Sequence, residues 1–178
     1  MELKAFGKDK ETSKFTLDAT IQRQRNKIEI TYAVHGGIQA LALPSSFARL
    51  DSDGFRKDLI WHHTCFEVFL GISGSPEYYE FNFGPNGDWA LYHFDRIREG
   101  MKNSDAFQAP RLNCVAEANR LLLTAELISV APALVGGSFD ANLTAILELK
   151  SGRKLYWALE HPDSRPNFHH RTGYVVRI

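Results

Sequence analysis

The sequence predicts an all-β protein, a sandwich or barrel of about nine to eleven short strands. Three observations predict it. Apolar residues recur at every second position in several stretches. Turn signals punctuate the chain every ~8–12 residues. No stretch carries a long helical pattern, since Ser129–Gly136 is short and contains Pro132.

The elements follow in order. Phe15, Leu17, Ala19 and Ile21 face one way, with Thr16, Asp18, Thr20 and Gln22 opposite. That is a half-buried strand. The polar turn QRQRN leads to a second, with Ile28, Ile30, Tyr32 and Val34 in phase, and the two form a hairpin. Residues Ser45 to Leu59 are polar, with a turn at Asp53-Gly54, and read as a long loop. Cys65–Ile72 is apolar on both faces except at Glu67, so both faces should be covered. Strands at Tyr78–Phe83 and Trp89–Phe94 flank the turn Gly84-Pro-Asn-Gly-Asp88, a hairpin signal. Arg96 to Asp105 is polar and holds a short helix or a loop. Further strands lie at Leu112–Ala116 and Leu121–Ile128, joined at Asn119-Arg120. Ala141–Lys150 turns through Ser151-Gly152 into Lys154–Glu160. A loop, HPDSRPNFHHRTG, precedes the last strand, Tyr174–Ile178.

The chain has 178 residues, the length of one domain, read here as 1–178. Its hydrophobic content of 44% is enough to bury a core without staples. Net charge is zero and the basic residues are scattered, so neither nucleic acid nor an anionic membrane is an expected partner. The N-terminal MELKAFGKDKETSKF has no apolar run, so neither a secretory signal nor a membrane helix is expected. Cys65 and Cys114 are read as small buried hydrophobes of a cytoplasmic protein.

Polar groups inside apolar strands carry the chemistry. Glu67 sits in CFEVFL; Glu80 and Asn82 sit in YYEFNF. Residues two apart share a strand face, so neighbouring strands would bring all three together. Trp89, Leu91 and His93 would join them from the next strand. Carboxylates and amides beside a flat ring suit a sugar, whose CH groups stack while its hydroxyls hydrogen-bond. The plain alternative is that these groups face solvent or brace a loop. Two carboxylates are also the inventory of a glycosidase, but nothing else in the chain supports hydrolysis.

Five histidines lie near strand ends: His62, His63, His161, His169 and His170. A metal site would need three or four of them converging. Adjacent histidines in an extended chain point apart, so a set would draw on His62 or His63, His161, and His169 or His170. Ordering the loops is the simpler role. Trp157, within LYWAL, reads as core; Trp61 sits at a loop–strand junction. Phosphate-loop, dinucleotide and nucleophile-elbow motifs are absent.

The run of WHHTCFEVFLG, YYEFNFGPNGDWALYHFD, REGM, ANLTAILE and YWALEHPDSRPNFHH resembles the bacterial DOMON-like proteins. That group is similar to family 9 carbohydrate-binding modules. The resemblance runs from about Phe15 to the end and is most specific around Phe66–Phe69 and Tyr79–Trp89. It implies an immunoglobulin-like or jelly-roll β-sandwich. Glu67 matches the acid of an E-V-F strand motif, and Glu80 and Asn82 fall in an E-F-N strand. Haem-binding relatives need an axial methionine or histidine; Met101 is the internal methionine of this chain.

The expectation is therefore a non-catalytic domain that binds a carbohydrate or related polar small molecule. Trp61, His63, Glu67, Glu80, Asn82, Trp89, His161 and His169 are its candidate ligand-binding residues. No cofactor is predicted. A haem or metal domain using the histidines is the alternative, and a protein-interaction module the next.

Overall fold

In the computed structural model, residues 1–50 and 54–178 are described. Asp53, half of the turn expected at Asp53-Gly54, lies outside them. Among the described residues there are twelve strands, five short 3-10 turns and no α-helix. In chain order the strands are β1 (Glu2–Ala5), β2 (Phe15–Gln24), β3 (Lys27–Gly36), β4 (Cys65–Ile72), β5 (Tyr78–Phe83), β6 (Trp89–Phe94), β7 (Lys102–Asn103), β8 (Arg111–Ala116), β9 (Arg120–Ile128), β10 (Phe139–Glu148), β11 (Lys154–Ala158) and β12 (Val176–Arg177). The expected hairpins are all present: β2–β3, β5–β6, β8–β9 and β10–β11.

The strands follow one antiparallel path, β7-β6-β5-β4-β10-β11-β1-β2-β3-β9-β8, with β12 paired beside β10. β1 is the corner of that path. Glu2 and Leu3 pair with Asp18 and Leu17 on β2, while Lys4 and Ala5 pair with Ala158 and Trp157 on β11. The path curls there into two layers, giving an all-β sandwich of the jelly-roll kind. The sequence pattern does not reveal β1, because only one of its four residues, Leu3, is buried. Its backbone pairing rather than its side chains makes it a strand.

The first layer (β2, β3, β9, β8) turns Leu17, Ile30, Val34, Leu121 and Leu123 inward. The second layer (β4, β5, β6, β10, β11) answers with Phe66, Val68, Phe81, Phe83, Leu91 and Leu143. Trp157 belongs to this core, as expected, and both cysteines are buried and unpaired. Tyr32 crosses the interface and donates its hydroxyl to the backbone carbonyl of Glu67.

The second layer is covered on its outer face as well. Cys65, Phe69, Tyr78, Tyr92, Phe94 and Ile146 form a second apolar cluster there, capped by Phe168 and Tyr174. The caps come from the chain after β11. Arg171 anchors that segment: its Nη2 reaches the carbonyls of Ile72 and Ser75 at 3.4 Å, and its guanidinium lies over the Tyr174 ring. It also lies against Gly71, where a Cβ would stand 1.5 Å from Arg171 Nη1.

Candidate functional site

The outer face of the second layer carries a cleft of about 320 Å³. Glu67, Phe69, Glu80, Phe94, Ile146 and Tyr156 form its floor, on five adjacent strands. Trp61 stands at one side, just before β4. Arg98 and Met101, after β6, make another wall. Pro166, Phe168 and His169, after β11, close the third.

Register decides which side chains reach this floor. Glu67 pairs with Asn82 across β4–β5, and Glu80 pairs with Phe69 on one side and Tyr92 on the other. All of these share the outer face, as the sequence pattern requires. Trp89, Leu91 and His93 do not. Their partners are Phe83, Phe81 and Tyr79, so they lie on the inner face. The expectation that Trp89 joins the acids is thus corrected: it is buried in the inter-layer core, with the Arg56 guanidinium over its ring. The turn already held this information. Phe83 and Trp89 bracket it as partners, so Glu80 must oppose an even-numbered residue of β6.

Asn82 is a second correction. It is fully buried and does not line the cleft. Its Nδ2 donates to Glu80 Oε1 at 2.9 Å, and its Oδ1 accepts from Cys65 Sγ at 3.5 Å. It holds the Glu80 carboxyl in place. Thr144 does the same for Glu67, donating to Oε2 at 3.1 Å. Thr144 and Asn142 were missed, although both are polar residues in an apolar strand, the very signal that singled out Glu67.

The histidines separate. His63 lies in a wider neighbouring cleft of about 540 Å³, with Nδ1 2.8 Å from Glu148 Oε2. His161 donates Nε2–H to the Lys4 carbonyl at 2.8 Å and packs edge-on against Phe6, bracing the β1 corner. Only His169 reaches the cleft with the acids. Among the described residues no group of three histidine, cysteine or acidic side chains is placed to hold a metal ion. Met101 and His169 share the cleft, the pair a haem iron would need. Nδ1 of His169 is engaged by the Tyr78 hydroxyl, and Nε2 faces Glu80 across the cleft floor.

Hydrogen bonds hold the His169 ring in place. The Tyr78 hydroxyl accepts the backbone N–H of Arg98 at 3.2 Å and shares a hydrogen bond with His169 Nδ1, 2.8 Å away. His169 Nε2 lies 3.8 Å from Glu80 Oε2.

Burial sets the charge state of these groups. It raises the Glu80 carboxyl to about 7, against the pull of Asn82 and Arg98. It raises Glu67 well above the usual carboxylate range, and the charge of Glu80 adds to that. It lowers His169 to about 3, with Arg98 adding to the effect, and pushes Tyr78 up to about 12. The floor thus holds two acids whose protonated forms burial favours, beside an imidazole that burial keeps neutral near pH 7. Arg98, at the wall, was also missed. It lies in a polar loop with no strand pattern to place it, and its φ of 58° falls in the left-handed region. Its Nη2 donates to Asn167 Oδ1 at 3.2 Å, tying two walls together.

No family model matches the chain, and no curated protein matches it. Its fold is shared with solved structures, among them the following two. One is a candidate carbohydrate-binding protein from Bacteroides uniformis, 15% identical, with a TM-score of 0.58 over 89% of this chain and 76% of that one. The other is a family 9 carbohydrate-binding module from Caldicellulosiruptor kristjanssonii in complex with glucose. It is 11% identical, with a TM-score of 0.58 over 93% of this chain and 76% of that one.

Proposed function

We propose that the chain binds a carbohydrate, without chemistry, in the cleft floored by Glu67 and Glu80. One observation carries the reading: two nearly enclosed carboxyl groups open on a cleft lined by the rings of Trp61, Phe69, Phe94, Tyr156 and Phe168. An aromatic face suits the CH side of a sugar ring, and the acids, Arg98 and His169 suit its hydroxyls. The volume fits the lower end of small-molecule sites. The fold it shares with two carbohydrate-binding structures, one holding glucose, supports the same reading.

In this reading Trp61 stacks on the sugar, Glu80 and Glu67 take hydroxyls at the floor, and Asn82 and Thr144 hold those acids in place. Calorimetry against a panel of mono- and disaccharides tests it. Trp61→Ala and Glu80→Ala should each weaken the best ligand at least tenfold, while Arg111→Ala, on the far edge, should not. Unchanged affinity in both cleft variants would remove this site from consideration. Haem is checked on the same sample, by a visible absorption band in freshly purified protein.

A further inference from the structure

Granting that the cleft is a sugar site, we propose that it selects a sugar bearing an amino group, with the ammonium seated at Glu67 and Glu80. Glu67 on β4 and Glu80 on β5 are both nearly enclosed, at 3% and 6% exposure. Such buried acids ordinarily have a cation beside them. These have neutral donors instead, the Thr144 hydroxyl and the Asn82 amide.

The cations of the surrounding elements fill that role only in part. Arg98 lines the cleft and its charge lowers both acids, but its guanidinium is held by Asn167 at the exposed rim and burial still outweighs it. Arg171 lies on the Tyr174 ring, 4.0 Å from Asp140, outside the lining. His169 is neutral by burial. Tyr78, Tyr92, Tyr174 and Cys65, from the packed strands and the C-terminal segment, are all held protonated by burial and supply no positive charge. Burial raises both acids, which disfavours two charged carboxylates side by side.

An entering ammonium reverses this balance. It removes the repulsion between the two acids and displaces their protons into solvent. The rings of Trp61, Phe69, Phe94, Tyr156 and Phe168 around the floor add favourable faces for a desolvated cation. A neutral sugar leaves the acids protonated and gains none of this.

Glucosamine, N-acetylglucosamine and glucose separate the cases, because they share a ring and differ at one substituent. Calorimetry at pH 7, in two buffers of different ionisation enthalpy, should show glucosamine binding at least tenfold tighter than the other two and releasing protons. Glu67→Gln and Glu80→Gln mimic the uncharged acids and should fold. In each variant glucosamine and glucose should bind with equal affinity and without proton release, so that the glucosamine advantage is erased. Equal or weaker binding of glucosamine overturns the inference, as does an advantage that survives both variants. If no sugar binds, it is the sugar reading that fails, and the charge inference is then decided by propylammonium against propan-1-ol. A melting temperature raised by the amine alone sustains it, and silence toward both overturns it.

Discussion

The two layers of the sandwich treat polar residues in opposite ways. β2 and β3 alternate strictly between buried and accessible side chains, and β9 does the same. Most polar residues there stand on the accessible face. β4 and β5 are buried along nearly their whole length, and β6 and β10 almost as fully. Polar residues in them depend on the protein for their partners. Thr144 answers Glu67, Asn82 answers Glu80, and the Phe168 carbonyl answers Asn142. A threonine on the first layer therefore says nothing about function. An acid on the second marks a place where burial is tolerated for a reason.

Four measurements would break or sharpen this contrast. The largest effect is expected inside the shared core. Phe81 is fully buried and packs edge-on against Phe107 at 5.0 Å. Phe81→Ala should cost about 3–5 kcal/mol in denaturant unfolding.

The next concerns the outer-face acids. The folded pKa of Glu80 lies above its unfolded value of 4.5, at about 7. Its contribution is therefore complete below pH 4.5 and is lost as pH rises through 7. Glu80→Gln should leave stability near pH 5 almost unchanged and raise it at pH 8 by roughly 2–3 kcal/mol. No gain at pH 8 would mean that the acid is better solvated than its burial indicates.

An effect of comparable slope and opposite sign belongs to His169. Its folded pKa is depressed to about 3 from 6.5, so its contribution is present above pH 6.5 and lost as pH falls. Between pH 4.5 and 6.5 it offsets the Glu80 slope, one proton against one. His169→Gln should expose that slope, making stability fall with pH across the window more steeply than in the parent. The smallest effect is expected on the first layer's outer face. Gln22→Ala should change stability by less than about 0.5 kcal/mol.

Much of this was legible in the sequence. Period-two alternation located β2 and β3, and a both-faces apolar run located β4 as a doubly covered strand. Turn chemistry placed the hairpins. The acids stood out because a strand that only packs has no use for them. What was not legible was long-range or parity-dependent. β1 is a strand through its backbone partners, and one buried leucine cannot announce it. Trp89 was placed on the wrong face because the strand pairing across Gly84–Asp88 was not counted. Arg98 and the separation of His63 and His161 from His169 depend on how loops fall across the second layer, which no local pattern encodes. Asn142 and Thr144 were readable and were passed over.

Gly71 gives the C-terminal wall of the cleft a lock with a single tumbler. The slot left by its missing side chain holds the Arg171 guanidinium, and that residue tethers the segment bearing Phe168 and His169. A methyl group there would leave every strand of the layer in place and evict the guanidinium from its seat. The loss would be felt not at position 71 but at the mouth of the cleft, as a wall that no longer latches. Anyone retargeting the cleft by rewriting its loops has freedom in what those loops present, provided that the keyhole in β4 stays empty.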